Sequence, residues 1–148
     1  MSRPNLFFDS SALFSGVISA SGASRALLLL AEVGQVRLTV SEQVVAETER
    51  AVARKIPQAL SDYRDALRSS GLRIVGDPPG VEVNAHRGII RHQADVSIVV
   101  AAMQAKADYL VTLNRRHFID DPDVALRSGL RIGLPADALA WVRERLGG

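Results

Sequence analysis

The residues of this chain that could do chemistry are few, and most are acidic. Cys is absent from all 148 positions, which excludes thiolate nucleophiles, thiolate metal sites and disulfide scaffolds together. Ser10 and Ser11 are adjacent hydroxyls, but no Gly-x-Ser-x-Gly surrounds them, so they form no nucleophile elbow. The three histidines, His86, His92 and His117, lack the i, i+4 spacing that sets two imidazoles on one helix face, and none is read as a metal ligand. What remains is a scattered set of carboxylates and one amide: Asp9, Glu47, Asp95 and Asn114. Asp9 follows directly on the short run 5–8, and Asn114 on the segment 109–113. If both runs are strands of one parallel sheet, the two side chains stand at its carboxyl edge, where open α/β sheets bind ligands, and they can meet there.

Each acid also has a plainer reading. Asp95 opens an almost wholly apolar segment, where a carboxylate can simply cap a helix through its unpaired N–H groups. Asp9 in a strand-to-helix turn has the same alternative. Glu47 lies about 160° from the Val45, Val52 and Ile56 face at about 100° per residue, which makes it a surface residue by periodicity. An i, i+3 ion pair with Arg50 would then account for it.

The elements that must position these residues follow from hydropathy. Residues 5–8 form a buried strand, 10–18 a weak helix, and 25–33 an Ala/Leu-rich helix closed by Gly34 in the left-handed conformation. Residues 36–40 read as a second strand. Ser41 caps a helix running to about Lys55, and Pro57 opens another that ends at Gly71. A third strand is expected at 72–75, a loop at 76–84, a short helix at 85–91, an all-round apolar helix at 95–106 and a fourth strand at 109–113. Residues 114–128 read as polar and irregular, 130–134 as a fifth strand and 135–146 as a last helix. Strands alternating with helices imply a three-layer α/β/α sandwich around a parallel sheet of four to five strands, joined by right-handed crossovers, in one domain over 1–148.

Composition narrows the class. With 47% apolar and 23% charged residues, the chain can bury a core without staples. Its longest apolar runs, 26–31 and 98–103, fall far short of the roughly 20 residues that span a bilayer. The first residues leave no room for a secretory leader, so a cytoplasmic location is expected. A net charge of +2 tolerates nucleic acid without demanding it.

Read together, the order and spacing of these motifs resemble the PIN domain family, and within it the toxin-like, VapC-type ribonucleases of type II toxin–antitoxin systems. The likeness runs through Leu6-Phe7-Phe8-Asp9-Ser10-Ser11, then Leu38-Thr39-Val40-Ser41 with Glu47. Its most specific part is Asp95 with Ile98, Ala101 and Ala102, followed by Ala107-Asp108-Tyr109-Leu110-Val111-Thr112 and Leu113-Asn114-Arg115-Arg116-His117-Phe118. The resemblance implies a metal-dependent ribonuclease for single-stranded RNA. Asp9, Glu47 and Asp95 would be carboxylate ligands of Mg²⁺ or Mn²⁺, Asn114 would complete the catalytic set, and Ser11 would be a substrate-orienting hydroxyl. Arg115 and Arg116 would hold phosphate.

The physical logic agrees, since hard divalent cations prefer carboxylate oxygen, and converging carboxylates repel unless a cation separates them. Many family members carry Asp where this chain has Asn114, which places a second ion in question; Asp120 or Asp121 could substitute, although a solvated acidic turn accounts for both. The resemblance further implies a homodimer and a protein antitoxin. Two other functions compete: a PIN-like RNA-binding module without catalysis, and a haloacid-dehalogenase-like phosphatase. The phosphatase would need a second Asp where Ser11 stands and a well-placed Lys, whereas the only lysines are Lys55 and Lys106.

Overall fold

The computed structural model describes residues 3–147. The first strand, β1 (Asn5–Phe8), is buried along its whole length, as a strand covered on both faces must be. It is followed by α1 (Ser10–Ile18), α2 (Ala23–Glu32), β2 (Arg37–Ser41), α3 (Glu42–Lys55), a 3₁₀ turn (Pro57–Ala59), α4 (Leu60–Ser69) and β3 (Arg73–Val75). The second half contains α5 (Gly80–Ala85), a 3₁₀ turn (Gln93–Asp95), α6 (Val96–Gln104), β4 (Tyr109–Val111), a wide π-type turn (Arg115–Ile119), α7 (Asp123–Ser128), β5 (Arg131–Gly133) and α8 (Pro135–Gly147).

All pairings are parallel, and the strand order is β3-β2-β1-β4-β5. Helices α1 to α4 and α8 pack with one another in one layer, and α5 to α7 in a second, giving the expected α/β/α architecture with five strands. No single helix among the described residues is long and apolar enough to cross a membrane.

The chain builds leftward from β1 to β3, then crosses back to β4 on the other side of β1. That reversal is a topological switch point, and the crevice outside the carboxyl ends of β1 and β4 is where such sheets admit ligands. The two strands end in register, with Phe8 opposite Val111, so Asp9 and Thr112 are the next neighbours, and the Asp9 amide donates to the Val111 carbonyl at 3.2 Å. Leu6, Phe7 and Phe8 have no solvent exposure and seat this edge rigidly. Truncating either Phe would cost about 3–5 kcal/mol.

The two ends of the central strand are anchored differently. At its amino end, Asn5 donates its amide hydrogens to the carbonyls of Ala105 (3.0 Å) and Lys106 (3.1 Å) and accepts from the Thr39 hydroxyl at 3.1 Å. The C-terminus of α6, where Lys106 takes φ 57°, is thereby satisfied inside the protein. On the helical side, α1 approaches α2 so closely at Gly16 that a Cβ there would lie 2.6 Å from Leu28 Cδ1.

Several boundaries differ from expectation. The helix expected at 85–91 is displaced to α5, directly after Pro79, so the loop ends five residues early. The fixed φ of proline suits a residue entering a helix. Residues 86–91 instead form a turn held by the Ile89 amide on the His86 carbonyl, with Ile89 and Ile90 buried. The segment 114–128 is not irregular: it holds the π-type turn and α7. Strand β4 stops at Val111 rather than 113 because the Leu113 amide bonds the Ser11 hydroxyl instead of a neighbouring strand.

Candidate active site

Asp9 is the best-defined group at the switch point. It is only 6% exposed and serves as N-cap of α1, as the plainer reading allowed. Its Oδ1 accepts from the Ser11 hydroxyl at 2.7 Å and from the Ala12 amide at 2.9 Å, while Oδ2 accepts from the Thr112 hydroxyl. Burial pushes the carboxyl pKa up from its ordinary value. The three hydrogen bonds work against that shift, and the nearby charge of Asp95 adds to it. A carboxylate offers about four acceptor positions, so these three donors leave one for a ligand. Ser11 and Thr112 are doubly engaged: Ser11 also accepts the Leu113 amide at 3.0 Å, and Thr112 the Asn114 amide at 2.9 Å.

Asp95 occupies the N-cap position of α6, as the plainer reading had it, but its side chain makes no hydrogen bond to the helix terminus; its Oδ2 lies 2.8 Å from Nδ1 of His117 instead. His117 is held in the turn after β4 by Asn114, whose carboxamide oxygen accepts the His117 amide at 3.1 Å. The Asn114 nitrogen lies 3.0 Å from the same imidazole Nδ1. Asn114 thus reaches the site edge, where its oxygen caps a turn.

Glu47 is half-buried and makes no ion pair among the described residues, so the solvated pair with Arg50 does not form. Periodicity misplaced it because its side of α3 faces other protein. Gln43, one turn earlier, reaches both Glu47 Oε2 at 3.5 Å and the Ser97 hydroxyl of α6 at 2.7 Å. Arg115 and Arg116 are exposed in the turn after Asn114 and form no ion pairs among the described residues. Asp121, by contrast, is tied to the Asp123 amide and lies 3.8 Å from Arg127, as a structural turn residue would be; Asp120 is exposed.

The fold therefore links Asp9, Ser11, Thr112 and Asn114 in one chain of hydrogen bonds, and Asp95 joins it through His117. The oxygens of Asp9, Glu47 and Asp95 do not close into a ready-made ligand set. Among the described residues, one group of three brings its donor atoms within 4.8 Å of one another: His92, Asp95 and His117. Chain spacing could not show that pairing, since the histidines come from two separate turns. Thr112 was also missed as a functional residue, though its place next to Asp9 follows once β1 and β4 are paired.

Beside Asp9 opens a cleft of about 340 Å³ bounded by Ser11, Phe14, Lys55 and Leu113, with the Lys55 ammonium 5.3 Å from the Phe14 ring centroid. Two larger cavities, each about 410 Å³, lie at the opposite, amino edge of the sheet. Their shared acid is Asp108, which is committed to the Asn5 amide at 2.7 Å, so they offer no acidic centre. Trp141 is a docking residue of α8, packed on Tyr109 with ring centroids 5.5 Å apart and flanked by Arg131 and Arg145.

A parallel sheet with this order and a buried carboxylate, Asp9, at the carboxyl ends of β1 and β4 defines a class of small α/β proteins. The PIN domain family model matches residues 5–116, and the chain belongs to that family. No curated protein matches the sequence. Among solved structures, the fold is shared with VapBC2 from Rickettsia felis bound to a promoter DNA fragment (TM-score 0.63, 20% identity, covering 88% of this chain and 98% of that one). It is shared too with the DNA-bound VapBC from Salmonella typhimurium (TM-score 0.60, 15% identity, 89% and 98%). A third is VapC20 from Mycobacterium tuberculosis, described as a sarcin–ricin loop cleaving toxin (TM-score 0.55, 13% identity, 75% and 91%).

Proposed function

We propose that this protein is a divalent-metal-dependent endoribonuclease acting on single-stranded RNA, and the toxin of a toxin–antitoxin pair. The observation that carries the reading is Asp9: a buried carboxylate, oriented by three donors at the switch point, under the charge of Asp95 and with one acceptor position open. Burying the Asp9 carboxylate under the like charge of Asp95 is costly unless a cation shares the two. Asp9 and Asp95 would hold Mg²⁺ or Mn²⁺, with Glu47 approaching from α3. Such an ion needs only one or two carboxylates, with waters completing its shell. When bound, it lowers the pKa of a water and neutralises charge building on the phosphate oxygens.

The chain's own residues do the rest. Ser11 and Thr112 fix both Asp9 oxygens, so the carboxylate meets the ion without reorganising. Arg115 and Arg116, exposed beside the site, take the phosphates flanking the scissile bond. The cleft at Phe14 accepts a base, and Lys55 at its rim faces the backbone. The Asn114 oxygen is engaged with His117, which favours one tight ion over two. The VapBC complexes above support an antitoxin partner, a homodimer is expected from the family resemblance, and the described VapC20 activity supports an RNA substrate.

A catalytically silent RNA-binding module is the second reading, favoured by Asn114. The two separate on one experiment: cleavage of single-stranded RNA with Mn²⁺, with EDTA, and in Asp9→Asn and Asp95→Asn. The nuclease reading requires cleavage only with metal and only in the parent. RNA binding without cleavage supports the module, and cleavage that persists in EDTA refutes the metal-dependent mechanism. Growth arrest on expression, relieved by co-expressing an adjacent small gene, tests the toxin role.

A further inference from the structure

The fold gathers two imidazoles that the carboxylate site does not use, beside Asp95, which it does. His92 enters the 3₁₀ turn that ends in Asp95, and His117 sits in the π-type turn after β4. Their rings stand 4.0 Å apart, centroid to centroid, tilted by 50°. His117 Nδ1 lies 2.8 Å from Asp95 Oδ2, and all three residues present donor atoms within 4.8 Å of one another. We propose that His92, Asp95 and His117 form a binding site for a borderline transition cation, Zn²⁺ above all, which on binding draws Asp95 away from the hard-cation site.

The donor chemistry selects the ion. Two imidazoles and one carboxylate suit Zn²⁺, whereas Mg²⁺ favours an all-oxygen shell and gains little from imidazole. Around tetrahedral Zn²⁺, with bonds of about 2.0–2.2 Å, donors stand roughly 3.3 Å apart, so the widest pair here need contract by at most about 1.5 Å.

The structure permits that movement on one side and resists it on the other. His92 is exposed, and its ring makes no hydrogen bond among the described residues, so it is able to swing inward. His117 is fixed by its amide on Asn114 and by the buried Phe118 next to it. Three protein donors leave one position of a tetrahedron for water, the arrangement of an exchangeable zinc site.

Asp95 belongs to both sets, and this couples them. The consequence for catalysis rests on the nuclease reading: Zn²⁺ should inhibit Mn²⁺-supported cleavage in competition with Mn²⁺. Zn²⁺ binding itself does not depend on that reading.

The test is calorimetric titration of the full-length protein with Zn²⁺, with Co²⁺ as a spectroscopic reporter and Mn²⁺ titrated in parallel. One Zn²⁺ per chain is expected, weakened at least about tenfold in His92→Ala and in His117→Ala, with a tetrahedral Co²⁺ absorption lost in both. His92→Ala removes an exposed ring and spares the fold, so it decides the question even if His117→Ala unfolds. In His92→Ala, Mn²⁺ affinity should stay within about twofold of the parent. Absence of Zn²⁺ binding, or unchanged Zn²⁺ affinity in His92→Ala, overturns the proposal. Mn²⁺ binding without Zn²⁺ binding leaves the nuclease reading standing and removes this one; Zn²⁺ binding without Mn²⁺ binding does the reverse.

Discussion

Thr112 donates its hydroxyl to Oδ2 of Asp9 and accepts the amide of Asn114 at 2.9 Å, so one side chain at the end of β4 holds both the buried carboxylate and the turn that carries His117. A hydroxyl serves both partners because it has one proton and two lone pairs. Thr112→Val keeps the shape and removes both bonds. It should cost about 1–3 kcal/mol of stability, through the unpaired amide and carboxylate. Mn²⁺-supported cleavage should fall at least tenfold, and Thr112→Ser should restore most of it. Full activity in the Val variant would show that Asp9 needs no such positioning.

The raised pKa of Asp9 has a stability consequence with a definite sign. Its folded value lies above the ordinary 3.8, so the folded state holds the proton more tightly than the unfolded chain. This contribution is fully present below about pH 3.8 and is lost as pH rises through the folded value. Metal-free Asp9→Asn lacks the penalty and should melt higher than the parent at neutral pH, with the advantage shrinking towards pH 3. Saturating Mn²⁺ should reverse the order, since only the parent gains from the ligand. Melting curves across pH, with and without Mn²⁺, check both halves.

Glu47 separates a ligand from a bystander. It has no ion pair to lose among the described residues, so Glu47→Gln should change stability by less than about 0.5 kcal/mol. If Glu47 holds metal, the same variant weakens Mn²⁺ binding at least tenfold. An unchanged Mn²⁺ isotherm returns Glu47 to a structural role beside Gln43.

Tyr63 offers a stability probe of the contact between α3 and α4. It is fully buried, donates to the Val45 carbonyl at 3.0 Å, and burial pushes its phenol up to about 12. The protonated form is thus favoured in the fold. Its contribution is intact below pH 10 and fades between pH 10 and 12. Tyr63→Phe should cost about 1 kcal/mol at neutral pH. The parent should lose stability more steeply above pH 10 than the variant; parallel alkaline denaturation curves would contradict this.

Local sequence determined much of the architecture. Three apolar residues in a row before Asp9, Leu6 to Phe8, make a strand buried on both faces, and Gly34, with φ 80°, ends α2 as its position foretold. Alternation of such strands with helices is enough to imply a parallel sheet, and a residue directly following a strand must then lie at the carboxyl edge. Asp9 was legible for that reason, whereas β4 ends at Val111 and puts Thr112, two residues before Asn114, directly after the strand. Tertiary structure decided the rest: that the Asp95 side chain turns to His117 instead of bonding the α6 terminus, that Glu47 lies half-buried against protein, that Thr112 grips Asp9, and that His92 meets His117. Hydrophobic periodicity reports which face of an element is apolar. A polar contact between residues far apart in the chain leaves no periodic trace, because it depends on how strands are ordered and where turns fold back, and those are set by packing across the whole sheet.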